Sequence, residues 1–197
     1  MTILKVRAGD FREGRWPNGA GVSWTIATEP SAAMLTNCCW HFATALIERS
    51  VPFSFLPGID RVLTLLEGPG FALCLADGRE IAVNRCNTPV RFPGDVLTEC
   101  LVSSAPSRVL NVLFARSLYR PDVYVGSLPL AVAEDTEVAL AYGLTDAFTT
   151  TTDESVIEFD QGEAAVMSHE NSRATCVAPE RNGNLFVAQL VPLRISA

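Results

Sequence analysis

The spacing of its turns restricts this chain more than any other feature. Glycine-bearing turn signals recur at Asn18-Gly19, Pro57-Gly58, Gly68-Pro69-Gly70, Asp77-Gly78, Pro93-Gly94-Asp95, Gln161-Gly162 and Asn182-Gly183. Asp77-Gly78 and Asn182-Gly183 have the form of two-residue hairpin loops. Between the turns, polarity alternates with period two: Val22, Trp24 and Ile26 stand against Ser23, Thr25 and Ala27, and Val96, Thr98 and Cys100 against Leu97, Glu99 and Leu101. Further strand-like runs cover 39–47, 61–66, 71–76, 108–115, 122–126, 137–141, 155–159, 164–167 and 185–193. Short strands at this spacing, with no crossover helices between them, predict an all-β sandwich or jelly-roll barrel (a double-stranded β-helix) and argue against a parallel α/β sheet. The threonines from Thr149 to Thr152, followed by Asp153-Glu154, read as a surface loop or strand edge.

Composition excludes several kinds of partner. At 197 residues and 48% hydrophobic content the chain buries one sizeable core, or two small ones. A net charge of −7 opposes a phosphate backbone, so nucleic acid is not an expected partner. No apolar run has the length of a signal-peptide core near the N-terminus or of a bilayer span later on, which predicts a cytoplasmic protein without membrane contact. Cys38 and Cys39 are adjacent, and Cys74, Cys86, Cys100 and Cys176 fall in or beside apolar strands, so reduced thiols are expected rather than a disulfide framework. A C-x-x-C pair is missing too.

The inventory of reactive groups is thin. His41 and His169 are the only histidines, too few for the usual histidine-rich metal centre, and no phosphate-binding glycine loop or nucleophile elbow is present. No catalytic residue, metal ligand or cofactor is therefore assigned. Two segments stand out. In Trp16-Pro17-Asn18-Gly19-Ala20-Gly21, bare backbone amides at Gly19 and Gly21 sit beside Asn18 and an aromatic wall, a combination suited to a small amide or carboxylate. A plain hairpin corner is the competing reading. In Val51 to Arg61 a rigid aromatic loop leads to Asp60-Arg61 and a strand. Arg61 is either an inward anion fork or a surface partner of Asp60 or Glu67, and the residues alone leave these even.

These same residues carry a resemblance. Trp16-Pro17-Asn18-Gly19-Ala20-Gly21-Val22-Ser23 is similar to the W-K-N-G-G-G-x-T pattern of the HutD/Ves family, with Pro17, Ala20 and Ser23 departing from it. Val51 to Gly68 resembles that family's G-P-F-S-x-F-P-G-x-D-R-x-L-x-L-L-x-G run. Phe92-Pro93-Gly94-Asp95, Leu110-Asn111-Val112 and Arg116 resemble its F-x-G-D and L-N-V-M-x-R elements. The resemblance implies a bicupin in one chain, with halves near 1–115 and 116–197 and room for strands to exchange between them. It further implies a non-enzymatic accessory or regulatory protein of histidine utilisation that binds a formylglutamate-like metabolite. The expected ligand set is Trp16, Asn18, Gly19, Gly21 and Arg61. The alternative is a metal-free enzyme of a small amide or carboxylate, with Asp95, Glu67 or His41 as general base. A homodimer is compatible with either.

Overall fold

The computed structural model describes residues 2–16, 20–31, 34–127, 129–168, 174–177 and 184–193. Asn18, Gly19, His169 and the Asn182-Gly183 turn lie outside the described residues. Within them the chain forms nineteen strands: β1 (Thr2–Val6), β2 (Arg12–Arg15), β3 (Gly21–Glu29), β4 (Trp40–Ile47), β5 (Val51–Pro52), β6 (Ile59–Glu67), β7 (Phe71–Leu75), β8 (Glu80–Val83), β9 (Pro89–Pro93), β10 (Thr98–Val102), β11 (Ser107–Ala115), β12 (Tyr119–Gly126), β13 (Leu130–Ala131), β14 (Val138–Gly143), β15 (Phe148–Thr152), β16 (Val156–Phe159), β17 (Ala164–Ser168), β18 (Ala174–Val177) and β19 (Leu185–Pro192). Two single 3-10 turns, Ala8–Asp10 and Leu35–Asn37, complete the regular structure. The protein is all-β, and it divides into two compact units: Arg12–Ser117, and Met1–Phe11 together with Leu118–Ala197.

The Arg12–Ser117 unit has a six-stranded sheet ordered β2-β3-β4-β11-β6-β9 and a four-stranded sheet ordered β5-β10-β7-β8. Period-two alternation gives the six-stranded sheet an inner face carrying the odd-numbered residues of β4, β6 and β11. At one end of that face Ile47, Leu63, Leu65 and Val109 share a core with Phe71, Leu73, Leu75 and Cys100 of the smaller sheet. Burying each leucine stabilises the fold by about 1.5–3 kcal/mol relative to exposure. At the other end the same inward positions are Arg61, Asn111 and His41, so the face turns from apolar to polar along the strands. The Asp77-Gly78 turn joins β7 to β8 as expected, fastened by the Asp77 carboxylate, which accepts from the Arg79 backbone N–H at 3.1 Å.

The second unit pairs a five-stranded sheet, β1-β17-β14-β19-β12, with a four-stranded sheet, β13-β18-β15-β16. Ala139, Ala141, Leu185 and Val187 face Phe148, Phe159 and Cys176 across its core. The Phe148 and Phe159 rings stack at 4.5 Å between centroids. β1 reaches this unit from the N-terminus and pairs with β17 from Thr2↔Ser168 to Val6↔Ala164. That pairing is why the first eleven residues group with the C-terminal part of the chain and not with the residues that directly follow them. The Thr149–Thr152 run corrects the sequence reading: it is neither loop nor edge, because β15 lies between β18 and β16. Threonine's branched Cβ suits a strand, and alternation leaves Thr150 fully buried and Thr151 exposed. All six cysteines are free thiols. Among the described residues no helix is long and apolar enough to cross a membrane.

Candidate ligand-binding site

A cavity of about 310 Å³ opens on the polar end of the six-stranded sheet in the Arg12–Ser117 unit. Its floor is set by strand register. Leu113 on β11 lies opposite Arg61 on β6 and opposite His41 on β4, while Asn111 lies opposite Leu63 and Ala43. Arg61, Asn111 and His41 therefore surround Leu113 on a single face, with Arg61 and His41 two strand spacings apart, roughly 10 Å at the backbone. The small side chains of Ala43 and Ala45 leave the space above them open. Trp16 and Arg15 form one wall, and Phe53 and Ser54 the other.

Arg61 settles the even choice left by the sequence. It is 7% exposed and faces the cavity, whereas Asp60 on the opposite face pairs with Arg91 at 2.9 Å and Arg116 at 3.0 Å. Glu67 pairs with Arg108 at 3.7 Å. Among the described residues no carboxylate pairs with Arg61. Its guanidinium donates to the Ser54 carbonyl at 2.6 Å and lies 5.2 Å from the Phe53 ring centroid and 5.9 Å from that of Phe92. One carbonyl and two ring faces replace only part of the lost hydration. Burial accordingly pulls the Arg61 pKa down to about 10, leaving it cationic at neutral pH.

Among the described residues, three buried side-chain polar atoms of cavity residues have no hydrogen-bond partner: Arg61 Nε, Asn111 Oδ1 and His41 Nδ1. Buried polar atoms are normally satisfied, so these three are free to bond water or a ligand in the cavity. Burial first, and the nearby Arg12 charge second, lower the His41 pKa to about 4, so the imidazole is neutral at physiological pH. The floor thus holds one cation and two neutral groups that both donate and accept.

The Phe53–Ser54 wall is held by the two turns that the sequence motifs mark. Val51 and Pro52 pair with Cys100 and Glu99 on β10, and Phe53 N–H donates to the Thr98 carbonyl at 2.9 Å. Leu56 N–H donates to the Gly94 carbonyl at 2.8 Å, and Gly94 N–H to the Ile59 carbonyl at 2.7 Å. A Cβ on Gly94 would fall 2.7 Å from that Ile59 oxygen, so only glycine lets the turns dock. Outside the sheet, Arg116 bridges Asp95 at 2.6 Å and Asp60, tying the Pro93-Gly94-Asp95 turn to the start of β6. This hydrogen bond to Arg116 holds the Asp95 carboxyl below its usual range.

Of the expected ligand set, Trp16 and Arg61 line the same cavity, and Asn18 and Gly19 lie outside the described residues. Gly21 does not line it. A Cβ on it would come within 2.3 Å of the Leu46 carbonyl and 3.2 Å of the indole, so it backs the Trp16 wall. Asn111 and His41 were not in the set. Asn111 had two signals, its place in the Leu110-Asn111-Val112 motif and its being a lone carboxamide within the apolar run Val109-Leu110-Asn111-Val112-Leu113-Phe114. His41 entered only as a candidate general base of the alternative reading, because a histidine between Trp40 and Phe42 also reads as a structural residue. Among the described residues, no three His, Cys, Asp or Glu side chains gather as a metal-holding group.

The fold is that of a cupin-like all-β protein, with a cavity in its Arg12–Ser117 unit. A cupin 2 conserved barrel domain protein from Leptotrichia buccalis shares the fold at a TM-score of 0.57 and 9% identity, over 95% of this chain and 98% of that one. The chain belongs to the HutD family, whose sequence model matches residues 8–186. HutD from Pseudomonas fluorescens SBW25 superposes with a TM-score of 0.81 at 19% identity, over 98% of this chain and all of that one. An uncharacterised 21.2 kDa protein of Pseudomonas putida, from the hutC 3' region, is 31% identical over 115 residues, 58% of this chain and 60% of that protein. Protein Ves of Citrobacter koseri is 32% identical over 111 residues, 56% of each. The chain thus spans less than two thirds of the length of these two relatives. The family is associated with the histidine-utilisation locus.

Proposed function

We propose that this protein binds a small carboxylate metabolite without transforming it, as an accessory or regulatory member of a histidine-utilisation system, and that its two units are the jelly-roll halves of a cytoplasmic bicupin. A formylglutamate-like ligand fits the reading. One observation carries it: Arg61 is a cation buried at the cavity floor, and among the described residues no carboxylate neutralises it. A ligand carboxylate supplies the missing charge, and a planar guanidinium matches its two oxygens. Trp16 provides an apolar surface for the ligand's carbon skeleton. The volume of about 310 Å³ lies at the small end of the ~300–1,000 Å³ usual for ligand pockets, which favours compact metabolites over nucleotides.

Isothermal titration with formylglutamate, formiminoglutamate, urocanate and histidine tests the reading. Binding of at least one carboxylate below about millimolar, equivalent to roughly 4 kcal/mol, is expected. Failure of all four at that level removes the metabolite role.

A further inference from the structure

Asp60, Asp95 and Arg116 come from three separate sequence motifs, and none of them lines the cavity. Asp60 lies at the start of β6, Asp95 in the turn after β9, and Arg116 directly after β11. Arg116 joins them. Its guanidinium donates to one Asp95 oxygen at 2.6 Å and to the Ile59 carbonyl at 3.3 Å, and lies 3.0 Å from Asp60. Its backbone N–H donates to the Gly58 carbonyl at 3.0 Å, and the second Asp95 oxygen accepts from the Gly58 N–H at 3.4 Å. Residues 58 to 60 are thus gripped along their length, and Arg61 is the next residue. The Arg61 side chain is fixed at both ends, at its Cα by this grip and at its guanidinium by the Ser54 carbonyl, 2.6 Å away. Ser54 stands on the same loop as Leu56, whose N–H bonds to Gly94, the neighbour of Asp95. Arginine is rotamer-rich, and an anion is bound at less cost when the fork is already aimed.

We propose that Arg116 is a positioning residue of the anion site: bound to Asp95 and Asp60 away from the cavity, it holds the Ser54 loop and the start of β6 together, so that the Arg61 guanidinium meets a carboxylate in one orientation. The proposal rests on the carboxylate reading of Arg61 and adds a residue that never touches the ligand. Bidentate recognition needs both N–H groups of the fork to point at the carboxylate oxygens, so a small tilt of the guanidinium removes one of the two bonds. Arg91 provides the internal comparison. It also pairs with Asp60, at 2.9 Å, but among the described residues it bonds neither to Asp95 nor to Gly58. Arg91 therefore balances the Asp60 charge without joining the two turns, whereas Arg116 does both.

Two readouts on the full-length protein test this. Calorimetric titration with formylglutamate measures affinity. The Arg61 Nε–H signal in proton–nitrogen NMR spectra, assigned by its loss in Arg61→Met, reports the guanidinium of the folded protein without ligand. Arg116→Gln is expected to weaken binding about tenfold and to shift or broaden that signal. Arg91→Gln leaves the bridge intact and is expected to change neither. The double variant Arg61→Met/Arg116→Gln is expected to bind as Arg61→Met alone does, because Arg116 acts through Arg61. If Arg116→Gln does not fold, Asp95→Asn takes its place: it keeps the size of the side chain, weakens the bond to Arg116 and is expected to act in the same direction. An unmoved Arg61 signal, an unchanged affinity, an equal loss in Arg91→Gln, or a further tenfold loss on top of Arg61→Met overturns the role of Arg116 and leaves the carboxylate reading standing. A wild type that does not bind formylglutamate brings down the carboxylate reading for this ligand and the role of Arg116 with it.

Discussion

At Ala43 the shortness of the side chain helps to make the cavity. This residue lies opposite Asn111 on the floor, and a leucine there would project into the space above the sheet. Ala43→Leu is expected to abolish carboxylate binding without lowering the melting temperature, because the added atoms fill a hollow rather than a packed core. Titration and thermal melts of the same sample check both halves. His41 gives a prediction in pH. Its folded pKa of about 4 lies below the ordinary value of 6.5, so between these values the unfolded chain takes up a proton that the folded chain refuses. Stability is therefore full above pH 6.5 and declines as pH falls towards 4, with a loss of about 2 kcal/mol between pH 7 and pH 5. Urea melts at those two pH values should show that loss in the wild type, and His41→Gln should reduce it by about that amount.

Strands and turns divide into what alternation reveals and what pairing decides. Nearly every long strand was legible, since runs such as 108–115 and 185–193 match β11 and β19 to within a residue or two. β1 and β18 were not, because short strands are completed by neighbours that a local pattern does not contain. The inward aim of Arg61 was left undecided. Position 61 shares its face with Leu63 and Leu65, but a charged residue beside Asp60 reads equally well as solvent-facing, and the Asp60–Arg91 and Asp60–Arg116 pairs show which way each points. The motif glycines were visible, yet their roles became clear only in the packed elements. Gly21→Ala would drive its Cβ against the Leu46 carbonyl and the Trp16 ring. The expected cost is about 1–3 kcal/mol with a displaced indole, seen as a shifted tryptophan emission spectrum and weaker ligand binding. An unchanged spectrum would mean that Trp16 is held by other contacts.

Across the whole chain, the second unit depends on a strand from the far end of the sequence. Lys5 on β1 pairs with Glu163 at 2.8 Å, donates to the Glu158 carbonyl at 2.7 Å and lies 5.2 Å from the Phe159 ring centroid. Removing residues 1–7 strips these contacts and leaves β17 as an unpaired sheet edge. The shortened protein is expected to melt at a lower temperature and to aggregate on standing, as read by light scattering; equal stability would show that β1 is dispensable. The central claim concerns the other unit, where the protein keeps a desolvated cation at the cost of stability. The fall in the Arg61 pKa to about 10 corresponds to a penalty on the order of 3 kcal/mol. Arg61→Met keeps the length of the side chain and removes the charge, so the most direct test is to measure carboxylate affinity and melting temperature together for this variant and the wild type. The account predicts at least a tenfold loss of affinity with a melting temperature equal to or above the wild type's. Undiminished carboxylate binding in Arg61→Met, or a melting temperature that falls in step with affinity, would contradict it.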